Sequence, residues 1–384
     1  MDKLFFTDEH IMIRDMVREF ADTEITPVAR DLDEQGEFPT ALVNKMGELG
    51  LMGILIPEEY GGSGLDMVAF ATAIIELARA DASVAITMAA HTSLGSLPIL
   101  MFGSDEQKNT YLPKLATGEM LGAFGLTEPD AGSDAGATKT KAVRDGDEYV
   151  VNGGKIFITN AGKAGVLSFT SQVIENGKNL GIAAFSISTN TPGLEIGPKE
   201  KKMGWRASDT RQLFFKDMRI QATSILGTPA NGFKTFLKTL TSGRVSIGAL
   251  SIGTALGAYE RALAYSTERI AFGKTINNFQ SVGFKLADMA TKIEASKLLV
   301  FHAAWMKDQG LDITKEAAMA KLFASETAME VTTEAIQIHG GYGYVKEYDV
   351  ERFFRDAKIL EIGEGTSEIQ RLIISREILK GIQI

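Results

Sequence analysis

The feature that most restricts the fold of this chain is a change in hydrophobic periodicity along it. Up to about residue 120 apolar residues recur at helical spacing, as do Ile13, Met16, Val17 and Phe20. From about 121 to 230 short β-rich runs alternate with turn residues, and helical spacing returns from 231 to 384. This order predicts an α+β protein of three domains: N-terminal helical (1–120), middle β-barrel or sandwich (121–230) and C-terminal helical bundle (231–384).

Local signals refine this prediction. Ser104 with Gln107 forms a capping box for a helix that runs toward residue 115. In the β region, residues 152–154 (Asn-Gly-Gly) predict a hairpin turn, and further strands are expected over 180–188 and 211–220. Long helices are expected over 284–307 and 313–338. The spacing also predicts one shared helical face for Leu42, Val43, Met46 and Leu49.

The stretch 82–104 carries no charge and is long enough to span a bilayer. Its polar residues argue against that interpretation. Ser83, Thr87 and His91 recur at four-residue spacing, and Pro98 interrupts the run. These features predict a buried helix with one polar stripe of the kind that can line a pocket, and no membrane contact.

Composition excludes several function classes. The 40 basic and 49 acidic residues give a net charge of -9 without a long basic cluster, so we expect no nucleic-acid partner. The chain has no cysteine, and its four histidines show no paired ligand spacing, so we expect no metal site. The first ten residues lack a basic flank followed by an apolar core, which predicts a cytoplasmic protein.

No glycine-rich nucleotide motif of the Rossmann or P-loop kind is present. Four segments in order nevertheless resemble the acyl-CoA dehydrogenase family along nearly the whole chain: FGLTEPDAGSDAG (124–136), KIFITNA (155–161), RIAFGK with the later QIHGGYGY (269–274 and 337–344), and ILEIGEGTSEIQR (359–371). The resemblance implies FAD as cofactor, a C-terminal four-helix bundle and a homotetramer built as a dimer of dimers.

The first segment is by itself a loop, because Pro129, Asp130 and Gly132 are common turn formers. The resemblance implies that it binds the flavin through backbone N–H groups and hydroxyls, with Ser133 also touching the CoA part of the substrate. The flavin-binding residues implied in this segment are Phe124, Leu126, Thr127 and Ser133.

The second segment is typical of an alternating strand, with Ile156 and Ile158 on one face and Phe157 and Thr159 on the other. The resemblance implies that Phe157 packs on the flavin ring and that the hydroxyl of Thr159 bonds near its hydride-accepting nitrogen.

The third, divided segment has ordinary explanations too, since Gly340 and Gly341 are typical of a helix stop and an arginine is common on a surface. The resemblance implies contacts to the FAD of a neighbouring subunit, so that cofactor binding requires an oligomer. The residues implied in that contact are Arg269, Phe272, Gln280, Gln337, Gly340 and Gly341. Thr366 and Glu368, in the fourth segment, are also implied as cofactor-binding residues.

Glu364 in the fourth segment lies between Gly363 and Gly365, just before a helix for which Ser367 and Gln370 form a capping box. A solvated glutamate near a helix N-terminus is the alternative interpretation. The resemblance implies that Glu364 is the base that removes the α-proton of an acyl-CoA.

Other family branches carry their base on a helix, at the position before an arginine. That position is Gly243 here, and glycine cannot be a base. Glu364 is therefore assigned as the base, while Arg244 and Gly365 are expected, with Ser133, to bind the substrate.

The resulting expectation is an acyl-CoA dehydrogenase that converts a short- or medium-chain substrate to the trans-2-enoyl-CoA and passes electrons to an electron-transferring flavoprotein. Gly363 and Thr241 depart from the residues of many relatives (Tyr and Asp), so a branched or cyclic acyl group stays an alternative. An acyl-CoA oxidase and a scaffold that binds without turnover are further alternatives.

Overall fold

The computed structural model describes residues 2–228 and 232–380, and the predicted boundary between 230 and 231 falls outside them. The N-terminal part of the chain is helical. Its helices are α1 (Asp2–Phe5), α2 (Asp8–Phe20), α3 (Ala29–Gln35), α4 (Thr40–Glu48), α5 (Met67–Ala80), α6 (Ala82–Ala90), α7 (Leu97–Phe102) and α8 (Asp105–Ala116).

Side-chain caps define several of these helices. Ser104 and Gln107 form the predicted capping box of α8, and Asp66 and Asp81 cap α5 and α6 by accepting backbone N–H bonds. Of the four residues predicted to share a face of α4, Leu42, Val43 and Met46 lie buried within the helix. Leu49 falls outside it, because α4 ends at Glu48, and it is 39% exposed.

One helix of the described residues, Ala82–Phe102, meets the length and hydropathy expected of a membrane span. It includes a π-helical turn, His91–Ser96, between α6 and α7, and 83% of it is buried within the protein. The imidazole of His91, in its polar stripe, pairs with the carbonyl of Leu115 (3.0 Å) and the N–H of Gly122 (3.1 Å), and thus joins this helix to the following strand. That the stripe lines a pocket stays a prediction.

The middle part is one twisted sheet with order β6-β7-β3-β2-β4-β5-β8, in which β1 pairs in parallel with β4. Its strands are β1 (Leu121–Gly125), β2 (Lys141–Asp145), β3 (Glu148–Thr159), β4 (Ala164–Glu175), β5 (Lys178–Ser188), β6 (Leu194–Lys199), β7 (Thr210–Gln221) and β8 (Ile225–Leu226).

The hairpin turn predicted at residues 152–154 is wrong, because β3 runs straight through them. Gly153 (φ +142°) lies at a β-bulge, where the pairing with β7 shifts register. The turn that reverses the chain lies earlier, at Gly146 (φ +59°) between β2 and β3. Glycine within a strand therefore marked a bulge and not a turn.

The C-terminal part is again helical and packs on the N-terminal helices, mainly through contact of its first helix with α5. The two helical parts share one hydrophobic core, which includes Ile74 and Val245. The elements are α9 (Gly232–Glu268), β9 (Ile270–Ala271), β10 (Lys274–Thr275), α10 (Gln280–Asp308), α11 (Thr314–His339), α12 (Val350–Lys358) and α13 (Ser367–Leu379). The predicted α+β class with helices on both sides of a β domain is confirmed.

Candidate active site

Glu364 lies in a strained turn between a 3-10 turn, Ile359–Glu361, and α13. Its φ of +52° is left-handed, and Gly365 follows with φ +98°. Side-chain-bearing residues occupy this region at a cost of about 1–3 kcal/mol, and such strain clusters at active sites. The glycine neighbour makes the turn possible because it has no Cβ to clash.

The capping box predicted for Ser367 and Gln370 is wrong. Thr366 is the N-cap of α13, and its hydroxyl accepts a hydrogen bond from the N–H of Ile369 (3.3 Å). The Gln370 amide donates instead to the carbonyl of Gly365 (2.8 Å). The side chain expected to close the helix start thus fixes the turn that carries Glu364. Glu368, the other predicted cofactor ligand here, lies exposed in the first turn of α13.

The carboxylate of Glu364 faces inward. Its Oε2 atom is buried and has no hydrogen-bond partner among the described residues. Burial raises the pKa of Glu364 to about 7, and the positive charges of Lys321 and Arg244 oppose that rise. Burial therefore dominates, and the carboxylate is not the solvated one of the alternative interpretation.

Gly243 of α9 forms the wall against which this carboxylate packs. A Cβ at position 243 would overlap Oε2 of Glu364 and would lie 3.4 Å from Leu94 Cδ2. Positions 243 and 364, which carry the base in different branches of the family, therefore compete for the same space. A side chain at 243 would exclude the observed position of the Glu364 carboxylate.

Arg244 is buried beside them, at 6% exposure. It donates to the hydroxyl of Thr241 (3.4 Å), whereas its Nε has no partner among the described residues. Burial lowers the pKa of Arg244, and Glu364 acts in the opposite direction. A buried guanidinium with an unused donor can bind an anionic or carbonyl oxygen, which is compatible with its predicted contact to substrate.

The loop after β1 and the strand β3 come together as the second candidate region. The N–H of Ile156 donates to the carbonyl of Thr127 (2.9 Å), and Phe124 stacks on Phe236 with ring centroids 4.1 Å apart. Leu126, Thr127 and Thr159 are partly exposed, and Ser133 is exposed. The predicted alternation of β3 is wrong at Phe157. Its φ of +59° breaks the ladder between Lys155 and Ile158, and its ring is 64% exposed.

A buried ion pair holds this loop to β3, and our sequence reasoning missed it. Lys155 Nζ lies 2.7 Å from Glu128 Oε1 and also donates to the carbonyl of Leu126 (3.1 Å). Although burial opposes it, the charge of Lys155 and further hydrogen bonds lower the pKa of Glu128 to about 2. Both residues stand inside the motifs quoted above, and the available signal was Lys155, a charged residue in the otherwise apolar end of β3.

Arg269, Gly340 and Gly341 line one cavity of about 570 Å³ at the end of α11. The guanidinium of Arg269 lies over the ring of Tyr342 (5.3 Å), and Gly340 ends the helix with φ +60° and ψ -136°, which only glycine adopts without strain. No residue of the first two segments lines this cavity.

The other predicted members of the third segment do not line this cavity. Gln280 and Gln337 are exposed on α10 and α11, and Phe272 is 96% exposed in the turn between β9 and β10.

Known proteins resemble this chain along all three parts of its fold. Family models for the N-terminal, middle and C-terminal domains of acyl-CoA dehydrogenase match residues 7–119, 123–218 and 230–379. A probable acyl-CoA dehydrogenase of Bacillus subtilis is 54% identical over 97% of this chain and 99% of its own length. A short-chain specific acyl-CoA dehydrogenase of Clostridium acetobutylicum is 46% identical over 97% and 99%.

Solved structures show the same similarity. Butyryl-CoA dehydrogenase from Megasphaera elsdenii has a TM-score of 0.95 and 42% identity, covering 97% of this chain and 99% of its own. An acyl-CoA dehydrogenase from Bacillus anthracis complexed with FAD has a TM-score of 0.92 and 37% identity, covering 98% of this chain and 68% of its own. On these matches, and on the fold that they share, the chain belongs to the acyl-CoA dehydrogenase family.

Proposed function

We propose that this protein catalyses FAD-dependent α,β-dehydrogenation of a short- or medium-chain acyl-CoA to the trans-2-enoyl-CoA, with Glu364 as the base. The observation that carries the proposal is the Glu364 carboxylate, which is buried, unbonded at Oε2 and walled by Gly243. An α-C–H beside a thioester is a weak acid, so the reaction requires a positioned base in a dry pocket.

The protonation of Glu364 suits this role. A general base works best when its pKa lies near the working pH, and burial brings the pKa of Glu364 to about 7. The backbone N–H of the same residue donates to no acceptor within the described residues. It is therefore free to bind the thioester carbonyl, where charge develops as the α-proton leaves.

The residues present fit a flavin dinucleotide. The exposed ring of Phe157, beside the partly exposed hydroxyls of Thr127 and Thr159, offers an apolar face with polar groups at its edge. The Arg269 cavity offers a cation and glycine backbone, which suit a diphosphate. FAD, when bound, supplies the acceptor for the β-hydride, and the chain supplies orientation and the exclusion of water.

Assembly and electron transfer complete the proposal. The Arg269 cavity shares no lining residue with the Phe157 region, which supports contact with the cofactor of a neighbouring subunit in a homotetramer, a dimer of dimers. An electron-transferring flavoprotein is the proposed electron acceptor, in keeping with the resemblance of the chain, and the cytoplasmic location stays a prediction.

A branched or cyclic acyl group is the second candidate substrate. A Cβ built on Gly363 would meet only Ile359, at 3.4 Å from its carbonyl oxygen and 3.9 Å from Cγ1. The space next to the base is therefore open where many relatives carry a tyrosine, and an acyl group wider than a straight chain is favoured by that space.

The test is an anaerobic spectral titration of the purified protein with butyryl-, isobutyryl-, octanoyl- and cyclohexanecarbonyl-CoA. Loss of the oxidised flavin band with butyryl- or octanoyl-CoA supports the straight-chain proposal. Loss of that band only with isobutyryl- or cyclohexanecarbonyl-CoA supports the branched or cyclic substrate instead. A protein that takes up no FAD contradicts both. Oxygen consumption without an added mediator would indicate an oxidase.

The matched variant is Glu364→Gln, which keeps the side-chain volume and removes the base. We expect binding of FAD and acyl-CoA to be nearly intact, because Oε2 makes no hydrogen bond to any residue that the structure describes. The rate of flavin reduction should fall by ~10²- to 10⁴-fold, the usual loss on removing a general base. Rapid reduction by E364Q would assign the proton transfer to another group.

A further inference from the structure

Lys321 is a buried cation whose role the reaction described so far does not explain. It lies on α11 with 0% exposure, in a position where lysine rarely occurs without a partner. Its Nζ donates to the carbonyl of Gly365 (2.8 Å), the residue that follows the base. A methionine or leucine would fill the same volume without the cost of burying a charge, so the ammonium itself needs an explanation.

The hydrogen bond to Gly365 is not a sufficient one. The amide of Gln370 donates to the same carbonyl oxygen at the same distance, 2.8 Å, and it carries no charge. A carbonyl oxygen can accept two hydrogen bonds, and a neutral side chain already supplies one of them. What Lys321 adds beyond a second hydrogen bond, which a neutral donor could also make, is its positive charge.

Glu364 is the charge that this cation faces. Burial lowers the pKa of Lys321 to about 8, so its ammonium is charged at neutral pH. Among the charged groups that act on Lys321, Glu364 has the largest effect, and Lys321 in turn has the largest effect opposing protonation of Glu364. Within the described part of the chain, the Lys321 ammonium bonds to the carbonyl of Gly365, and Oε2 of Glu364 has no hydrogen-bond partner. The carboxylate therefore gains from a nearby positive charge while its oxygen stays free to accept a proton.

We propose that Lys321 is a positioning residue for the base: the carbonyl of Gly365 holds its ammonium beside Glu364, where its buried charge keeps the carboxylate ionised at neutral pH without bonding to it. This inference rests on Glu364 being the base. A direct salt bridge would occupy the oxygen that must take the α-proton, and an uncharged wall would leave the carboxylate protonated. Because the ammonium bonds to the carbonyl of Gly365 and not to the carboxylate, it supplies a positive charge without occupying that oxygen.

Other charged groups surround Lys321 and Glu364. Arg244 of α9 is the second cation near Glu364, and its charge also opposes protonation of the base. The groups that act on Lys321, from its own helix and from the elements packed against it, are Glu364, Glu361, Arg244, Glu326 and Glu368.

The experiment measures the rate constant of flavin reduction at saturating acyl-CoA as a function of pH, in the FAD-loaded parent and in K321M. Loss of the positive charge should raise the apparent pKa of the base by about one unit, within the range typical of a nearby opposite charge. The rate should then fall about tenfold at about pH 6 and approach the parental rate above pH 8, where the base is ionised in both proteins.

Gln370→Met is the matched control, since it removes the neutral donor from the same carbonyl of Gly365. We expect Q370M to leave the apparent pKa of the base where it is in the parent. K321Q, which keeps a donor and removes the charge, should shift the profile as K321M does, and it serves if K321M does not fold. The inference is overturned if the pH profile of flavin reduction in K321M or K321Q coincides with that of the parent. It is also overturned if Q370M shifts the apparent pKa by as much as K321M does.

A readout without turnover separates this inference from the proposed function. Infrared difference spectra between each protein and its E364Q counterpart, taken on the FAD-loaded forms without substrate, report the protonated carboxyl group of residue 364. Its titration should move to higher pH in K321M. If E364Q still reduces flavin, the proposed function fails; if E364Q is inactive but K321M titrates like the parent, only the role of Lys321 fails.

Discussion

At the scale of single residues, Gly243 matters through the side chain that it lacks. Glu364 Oε2 occupies the space where a Cβ of residue 243 would lie. The chain can therefore hold a base at 364 or a larger residue at 243, but not both in these positions. The protein environment that raises the pKa of Glu364 depends on this close packing against α9.

We predict that Gly243→Ala displaces the carboxylate and slows flavin reduction at least tenfold, because misplacement of a catalytic group by about 1 Å can cost ~10²-fold in rate. The helix itself should tolerate alanine well. Stopped-flow reduction by the preferred acyl-CoA measures the effect.

Gly248→Ala, five residues further along α9, is the control for this prediction. Its Cβ would press on Val300 Cγ2 at 2.8 Å, away from Glu364. This variant tests whether alanine at any tightly packed glycine of α9 slows flavin reduction as much as G243A does. Equal rates for G243A and the parent would show that Glu364 adapts without cost.

At the scale of elements, one ion pair ties the loop after β1 to β3. Glu128 accepts bonds from the backbone N–H groups of Lys139 and Thr140, and its partner Lys155 is 0% exposed. A turn-rich loop is thereby fixed against a strand at the place where Thr127 and Phe157 are exposed. The position of the predicted flavin-binding groups depends on this buried pair more than on the turn residues.

Glu128→Gln should lower the free energy of unfolding by about 3–5 kcal/mol, the usual cost of leaving one charge of a buried pair without its partner. FAD retention should fall with it, because the loop loses its anchor. Because the folded pKa of Glu128 lies near 2, below its ordinary value of 4.5, its contribution is present above about pH 4.5 and is lost as pH falls toward 2.

Asp130→Asn is the control in the same loop. Asp130 pairs with Lys139 at 2.6 Å, but both side chains are exposed, at 67% and 70%. Exposed pairs contribute about 0–1 kcal/mol, so D130N should unfold like the parent. Chemical denaturation of the two variants would refute the burial argument if both were destabilised equally.

At the scale of the whole molecule, charged residues join all three parts of the chain. Arg352 of α12 pairs with Asp81, the N-cap of α6, at 2.6 Å, and both are buried. Asp356, one turn further, accepts the backbone N–H of Trp205 from the loop before β7 (2.6 Å). Helix α12 therefore connects the N-terminal helices to the β domain and holds the three in one arrangement.

Several large apolar residues of the C-terminal part are exposed on its surface. Phe272 is 96% exposed, Tyr344 88% and Phe284 64%, values that are unusual for large apolar residues of a monomer. If a second subunit covers Phe272, Phe272→Ser should shift the protein toward smaller assemblies and lower its FAD content. Light scattering after size exclusion, with the flavin absorbance, measures both.

Met12→Ser is the control, because Met12 is 71% exposed on α2, far along the chain from the predicted cofactor contacts. It should leave mass and flavin content unchanged. A parental mass and flavin content in F272S would contradict the predicted role of Phe272 in a neighbouring cofactor site.

The sequence by itself determined the domain order and most helices, and it made Glu364 the candidate base, because hydrophobic periodicity and short motifs are local properties of the chain. It did not determine the bulges of β3 at Gly153 and Phe157, since pairing with β7 decides where a strand departs from alternation.

Tertiary structure alone decided the environment of Glu364, the proposed base. Gly243, Lys321 and Glu364 are far apart in the sequence and meet only because α9 and α11 pack against the turn before α13. Local patterns record which residues can start a helix or bear a charge. Burial, the overlap of side-chain volumes and the balance of charges that raises the pKa of Glu364 to about 7 arise only when distant segments exclude water together.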